Sequence, residues 1–154
     1  MNPKEMTMKF SIAAKAVAIA GIAALALAIA PLAGAQIKPC SAATLKGTFS
    51  DRDTGYIPGL GPFAGVNLYT FDGHGKITGS GTTSLNGLVV SGTVSGTYKV
   101  NPDCTGSFEG QDSQGQTHGA YFVIDDGGNE LQILVTDPGT VITCVARRQF
   151  PVSN

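Results

Sequence analysis

Turn-forming residues break the chain beyond residue 43 every few positions, and the stretches between them alternate apolar with polar side chains. Asp72-Gly73-His74-Gly75, Asn86-Gly87, Asp126-Gly127-Gly128-Asn129 and Asp137-Pro138-Gly139 supply residues that tolerate positive φ in tight hairpins. In Asn101-Pro102-Asp103 the proline fixes φ. Strand-like runs recur at roughly 8 to 14 residues, the spacing of a sandwich or a barrel. Eight are predicted, at 45–51, 65–71, 76–84, 88–100, 104–111, 117–125, 130–136 and 141–150.

Leu131, Ile133 and Val135 share one face, against Glu130, Gln132 and Leu134. Val90, Val94, Tyr98 and Val100 share another, and Leu45 and Phe49 oppose Lys46, Thr48 and Ser50. One wet and one dry face per strand marks an antiparallel sheet. Many of the inward positions are glycine: Gly47, Gly79, Gly81, Gly92, Gly96, Gly106 and Gly110. Glycine weakens a flat strand but lets a strand bend where a sheet coils. Eight hairpin-linked strands with two edges to hide predict an all-β, eight-stranded antiparallel up-and-down barrel. A two-sheet β-sandwich is the alternative.

The interior of such a barrel is predicted to be lined by Leu45, Phe49, Ile77, Leu85, Val90, Val94, Tyr98, Phe108, Phe122, Leu131, Ile133 and Val135. Eight strands leave a bore that side chains fill or that holds one small ligand. The large side chains argue for a filled core, and the inward glycines argue for spare volume. The stretch 53–64 reads as the one long loop, with 55–62 as a lid. Phe49, Tyr56, Tyr98, Phe108, His118 and Phe122 are therefore the candidate ligand-binding residues.

Cys40, Cys104 and Cys144 are the three cysteines. If strand direction alternates, Cys40 before the first strand and Cys104 opening the fifth lie at the same rim, which predicts a Cys40–Cys104 disulfide. Cys144 falls inside the last strand, as a small core residue beside Ile142 and Ala146. A three-thiolate metal site is disfavoured, because no two cysteines have the short spacing of structural zinc sites.

The N-terminal segment reads as a secretory signal: Met8-Lys9-Phe10 and Lys15, an apolar run over 16–30, then Ala33-Gly34-Ala35. An apolar run of about 15 residues is short of the roughly 20 a membrane span requires. The chain thus divides into a signal peptide, 1–35, and one β-barrel domain, 36–154, placed outside the cytoplasm, in the periplasm or secreted. Oxidised cysteines suit such a location.

Removing Lys4, Lys9, Lys15 and Glu5 leaves seven basic and ten acidic side chains. The basic residues are scattered, with only Arg147 and Arg148 adjacent. No basic stripe with interleaved aromatics follows a phosphate backbone, so nucleic-acid binding is not expected. No membrane association is expected after cleavage.

Motifs for chemistry are sparse. His74 sits in a glycine-flanked turn, and His118 shares parity with Ala120, Phe122 and Ile124, which points it inward near a barrel end. No Gly-x-Ser-x-Gly elbow joins a strand to a helix, and no GxGxxG opens a helix. Asp125, Asp126 and Glu130 read as a solvated hairpin tip without the spacing of a calcium loop. No catalytic residue, cofactor or metal site is expected.

The segment Gly96-Thr97-Tyr98-Lys99-Val100-Asn101-Pro102-Asp103-Cys104-Thr105-Gly106-Ser107 is similar to a recurrent stretch of small exported bacterial proteins of unassigned function. Cys40 shortly before Leu45-Lys46-Gly47-Thr48-Phe49, and the Phe71–Gly75 turn, resemble the same group. Those motifs are structural. The group resembles barrels of the allene oxide cyclase and lipocalin type, which implies a barrel with an apolar cavity and transfers no catalytic residue.

Three functions stand against one another. The leading expectation is a non-catalytic structural or partner-binding role, with another surface protein as partner. The alternative is a lipocalin-like carrier of a small apolar molecule. The third, and least favoured, is a barrel isomerase or cyclase. An internal void of several hundred cubic ångströms would favour the carrier or the enzyme, an acid or histidine pointing into it would favour the enzyme, and a fully packed interior would leave the structural role.

Overall fold

A computed structural model describes residues 38–150; the signal segment at 1–35 lies outside the described residues. Eight antiparallel strands close into an up-and-down barrel, each bonded to its sequence neighbours and β1 to β8. The strands are β1 (Gly47–Ile57), β2 (Gly61–Phe71), β3 (Lys76–Leu85), β4 (Leu88–Val100), β5 (Thr105–Asp112), β6 (Thr117–Asp125), β7 (Glu130–Val135) and β8 (Val141–Arg148). Closure removes both sheet edges, so every strand has two hydrogen-bonded neighbours. The sandwich alternative is excluded by the β1–β8 ladder, which runs from Phe49 opposite Arg148 to Tyr56 opposite Val141.

The rule of alternation fixes which residues face the bore, since directly paired residues lie on the same side of a sheet. Phe49 pairs with Tyr69, Asp51 with Asn67 and Asp53 with Gly65. Across the closing seam Asp51 pairs with Ala146 and Asp53 with Cys144. The outward face of the wall is largely Ser and Thr, as in Ser80, Thr82, Ser91, Thr93, Ser95 and Thr97 on β3 and β4.

One end of the barrel is plugged. Ala42–Leu45 forms a 3-10 turn that drives Leu45 into a core of Phe49, Phe71, Ile77, Tyr98, Phe122, Ile124, Leu131 and Ala146. Phe49, Phe71 and Tyr98 stack edge to face, with centroids 5.3 and 5.0 Å apart, the arrangement that ring quadrupoles favour. The Tyr98 hydroxyl donates to Ala42 O (3.0 Å) and accepts from Gly73 N–H (3.1 Å), tying the plug to the β2–β3 turn. Arg148 lies over the Phe49 ring, 4.5 Å from its centroid. Its guanidinium donates to the carbonyls of Lys46, Thr44 and Gly128, which satisfies backbone acceptors that the turn leaves open.

The predicted disulfide lies at this same rim. Cys40 and Cys104 are bonded, with Cα atoms 5.0 Å apart and a sequence separation of 64, and Cys40 N–H donates to Pro102 O. Chain entry near residue 38 and the end of β8 at Arg148 are both at the plugged end. We call the opposite end the mouth. It carries the β1–β2, β3–β4, β5–β6 and β7–β8 turns.

Two expectations are corrected. The stretch 53–64 is not a loop: β1 continues to Ile57 and β2 resumes at Gly61, so the supposed lid is a hairpin in the wall. Its Gly and Pro residues mimic an irregular connection, but Gly59 and Gly61 take positive φ at the tip, where the turn needs it. Leu45 is a plug residue rather than a strand residue.

Candidate functional site

The bore changes character along its axis. Next to the plugged core is a polar level formed by Asp51, Asp53, Asn67, Tyr69 and Cys144. Asp51 is 6 %, Asp53 7 % and Cys144 8 % exposed, so all three are more than nine-tenths buried. Asn67 holds the two carboxylates together, its Nδ2 donating to Asp51 Oδ1 at 2.7 Å and to Asp53 Oδ2 at 3.0 Å. Asp53 Oδ1 is buried without any hydrogen-bond partner. Among the described residues no Lys, Arg or His makes an ion pair with either carboxylate.

Burial without a cation raises the proton affinity of the whole group. Desolvation lifts the Asp51 carboxyl from 3.8 to about 6, with the Asn67 bond opposing and the Asp53 charge adding to the rise. Asp53 is raised for the same first reason, burial. Burial, then the two carboxylates, push the Cys144 thiol up, so it is a protonated thiol here. Burial and the same carboxylates raise the Tyr69 phenol.

Beyond this level the lining opens. Phe63, Val94 and Val135 face inward and are only half-buried, while the half-buried Phe108 and Ile133 pack back against the core. At the mouth the inward-facing Val90 and Leu88 are 42 % and 65 % exposed. The inward glycines do not all leave empty space, as the sequence suggests: a side chain from the neighbouring strand lies over several of them. A Cβ on Gly79 would strike the Tyr69 ring and on Gly106 the Phe122 ring, while on Gly110 it would strike the ring of Phe108, two residues earlier on the same strand. The Asn67 amide covers Gly81, and the Asp53 carboxylate, with Thr83 Oγ1, borders Gly65. These residues are glycine because an aromatic or polar partner occupies the place a side chain would take.

His118 sits at the mouth between two acids. Its Nδ1 is 2.6 Å from Asp137 Oδ2 and its Nε2 is 3.2 Å from Asp112 Oδ2. Asp137 Oδ1 also accepts Gly119 N–H. The clamp joins the β5–β6 turn to the β7–β8 turn. Burial opposes protonation of the imidazole, but the bonds to Asp137 and Asp112 outweigh it and raise its pKa.

The candidate residues of the sequence divide between three places. Phe49, Tyr98 and Phe122 belong to the sealed core. Phe108, half-buried, packs against that core from the bore side, and His118 marks the mouth. Tyr56 is 53 % exposed and shares outward parity with Arg52 and Thr54, so it faces solvent and not the bore. Asp51, Asp53 and Asn67 were missed as site residues. Asp51 and Asp53 continue the inward parity of Phe49, a signal hidden by ending the first strand at residue 51. Cys144 is buried as expected, but beside two carboxylates as well as apolar neighbours.

No family model and no curated protein matches the chain. Among solved structures it is similar to a redesigned β-barrel, with TM-score 0.51 and 17 % identity over 71 % of this chain and 95 % of that one. It is also similar to a de novo designed fluorescence-activating β-barrel, with TM-score 0.50 and 18 % identity over 70 % of this chain and 96 % of that one. The likeness is one of fold: a small closed β-barrel.

Proposed function

We propose that the protein is an exported barrel that binds a small, largely apolar molecule in the mouth-side half of its bore. The observation that carries this reading is the gradient of burial along one set of inward side chains. Leu45, Phe49 and Leu131 are fully buried at the plugged end, while Phe63, Val94 and Val135 keep exposed surface on the other side of the polar level. Ligand sites combine mostly apolar walls with a few placed polar groups, and this bore has both. The signal-like segment and the disulfide support an extracytoplasmic location.

Native mass spectrometry of protein taken from its own host is expected to show one retained small molecule, and an apolar fluorescent probe is expected to bind with 1:1 stoichiometry. Val94→Trp, which fills the half-open bore, should weaken probe binding at least tenfold. Probe binding unchanged by that substitution would sink the reading.

A second reading, a partner-binding role, has its own support. Tyr121, Val123 and Leu134 are each more than two-fifths exposed on the outer wall of β6 and β7, and Tyr121 lies directly opposite Leu134. Beside them an open groove of about 510 Å³ runs along Ser107, Glu109, Tyr121 and Thr136. Contiguous exposed apolar surface marks interaction sites.

A further inference from the structure

Asp51, Asp53 and Cys144 face one another inside the barrel, and one ligand-capable atom of each lies within 4.8 Å of the other two. Two carboxylates and a thiol, each over nine-tenths buried, are expensive to keep together without a counter-charge. The wall supplies none. Arg52 and Arg147 have outward parity, and Arg148 is committed to three carbonyls at the plugged end. The sole bridging donor, the Asn67 amide, reaches one oxygen of each aspartate. Asp53 Oδ1 is left as a buried acceptor with nothing to accept, a condition that native interiors rarely tolerate.

The geometry points to a buried binding site for a single divalent cation of the zinc class, held by Asp51, Asp53 and Cys144. Two oxygens and one sulfur are the donor set of a borderline-soft ion, which separates zinc from calcium or magnesium with their all-oxygen shells. Tetrahedral zinc with bonds of about 2.0–2.3 Å brings its ligand atoms to roughly 3.5 Å from each other. The ligand atoms, none more than 4.8 Å from another, therefore close by at most about 1.3 Å on binding, within reach of carboxylate rotation. Asn67 then serves as the outer partner that orients both carboxylates. Three protein ligands leave a fourth position, on the side of the half-open bore, for water or an incoming donor. Binding expels the thiol proton to solvent as the Cys144 sulfur becomes a thiolate ligand.

The site is independent of the ligand-binding reading above, because it needs only the polar level and not the apolar walls. Its test is titration of metal-stripped, disulfide-intact protein with cobalt(II) as a spectroscopic substitute for zinc. One equivalent should bind, with a sulfur-to-cobalt charge-transfer band that zinc abolishes by displacement, and zinc should raise the melting temperature. Cys144→Ser should eliminate the band, and Asp53→Asn should weaken binding at least tenfold while circular dichroism stays that of a β-barrel. Asp51→Asn supplies a second signature: it should raise the melting temperature of the metal-free protein while weakening cobalt binding, opposite signs that a purely structural residue would not give. Absence of binding by the folded protein, binding without a sulfur band, or a band that survives Cys144→Ser would each overturn the assignment.

Discussion

Asp51 shows how a residue can be obligatory for a site and adverse for the fold. In metal-free protein its carboxyl titrates near 6 instead of 3.8, chiefly because burial penalises the anion. As pH rises from about 4 to about 6, the unfolded chain releases this proton while the folded barrel still holds it. Stability therefore declines across that window and stays lower above it. Asp51→Asn should recover about 1–3 kcal/mol at pH 7 and flatten the pH profile between 4 and 6, read by urea unfolding in the presence of chelator. A destabilised variant at pH 7 would contradict the burial argument. At this scale the sequence is only half legible. The parity of Phe49, Asp51 and Asp53 places all three on one face, but charged residues are so seldom buried that the alternation is easily read as ending in a loop. That Asn67 spans both carboxylates depends on a strand pairing which local pattern does not show.

Among the elements, the 3-10 turn at Ala42–Leu45 contributes most for its size. It closes an end that would otherwise expose the Phe49, Phe71 and Tyr98 rings, and it is held by Tyr98, Arg148 and the Cys40–Cys104 bond. Leu45→Ala removes a side chain with no exposed surface and should cost about 2–5 kcal/mol, measured as a shift in denaturation midpoint at unchanged m-value. Strand number and most strand ends were readable, because Asn-Gly, Asp-Gly and Pro turns announce hairpins by backbone chemistry alone. The exception is the β1–β2 hairpin. There Gly55, Pro58, Gly59, Gly61 and Pro62 all sit in or beside two long strands, and ladder bonds override their local preference. The cover of Tyr69 on Gly79 was likewise invisible, since it joins residues from two different strands.

At the scale of the whole molecule, stability is expected to depend on pH at the mouth as well as in the bore. His118 holds Asp112 and Asp137 only as a cation, and its folded pKa lies above the ordinary 6.5. Its contribution is complete below pH 6.5 and is lost as pH rises through the higher folded value. The imidazole is 38 % exposed, so solvent screening limits the effect to at most about 1 kcal/mol. His118→Gln should remove this alkaline loss, and the protection of amides in the β5–β6 and β7–β8 turns, taken relative to their intrinsic base-catalysed exchange rates, should then stop changing with pH above 6.5. Protection that keeps falling with pH in the variant as it does in the parent would argue against the clamp.

Both ends of the described chain leave from the stoppered rim, beside Cys40 and Arg148. Among the described residues the hairpin rim opposite carries no chain end. A tag, a fusion or a natural tether attached at either end would hang the barrel like a cup by its base, with the opening turned toward the surrounding medium.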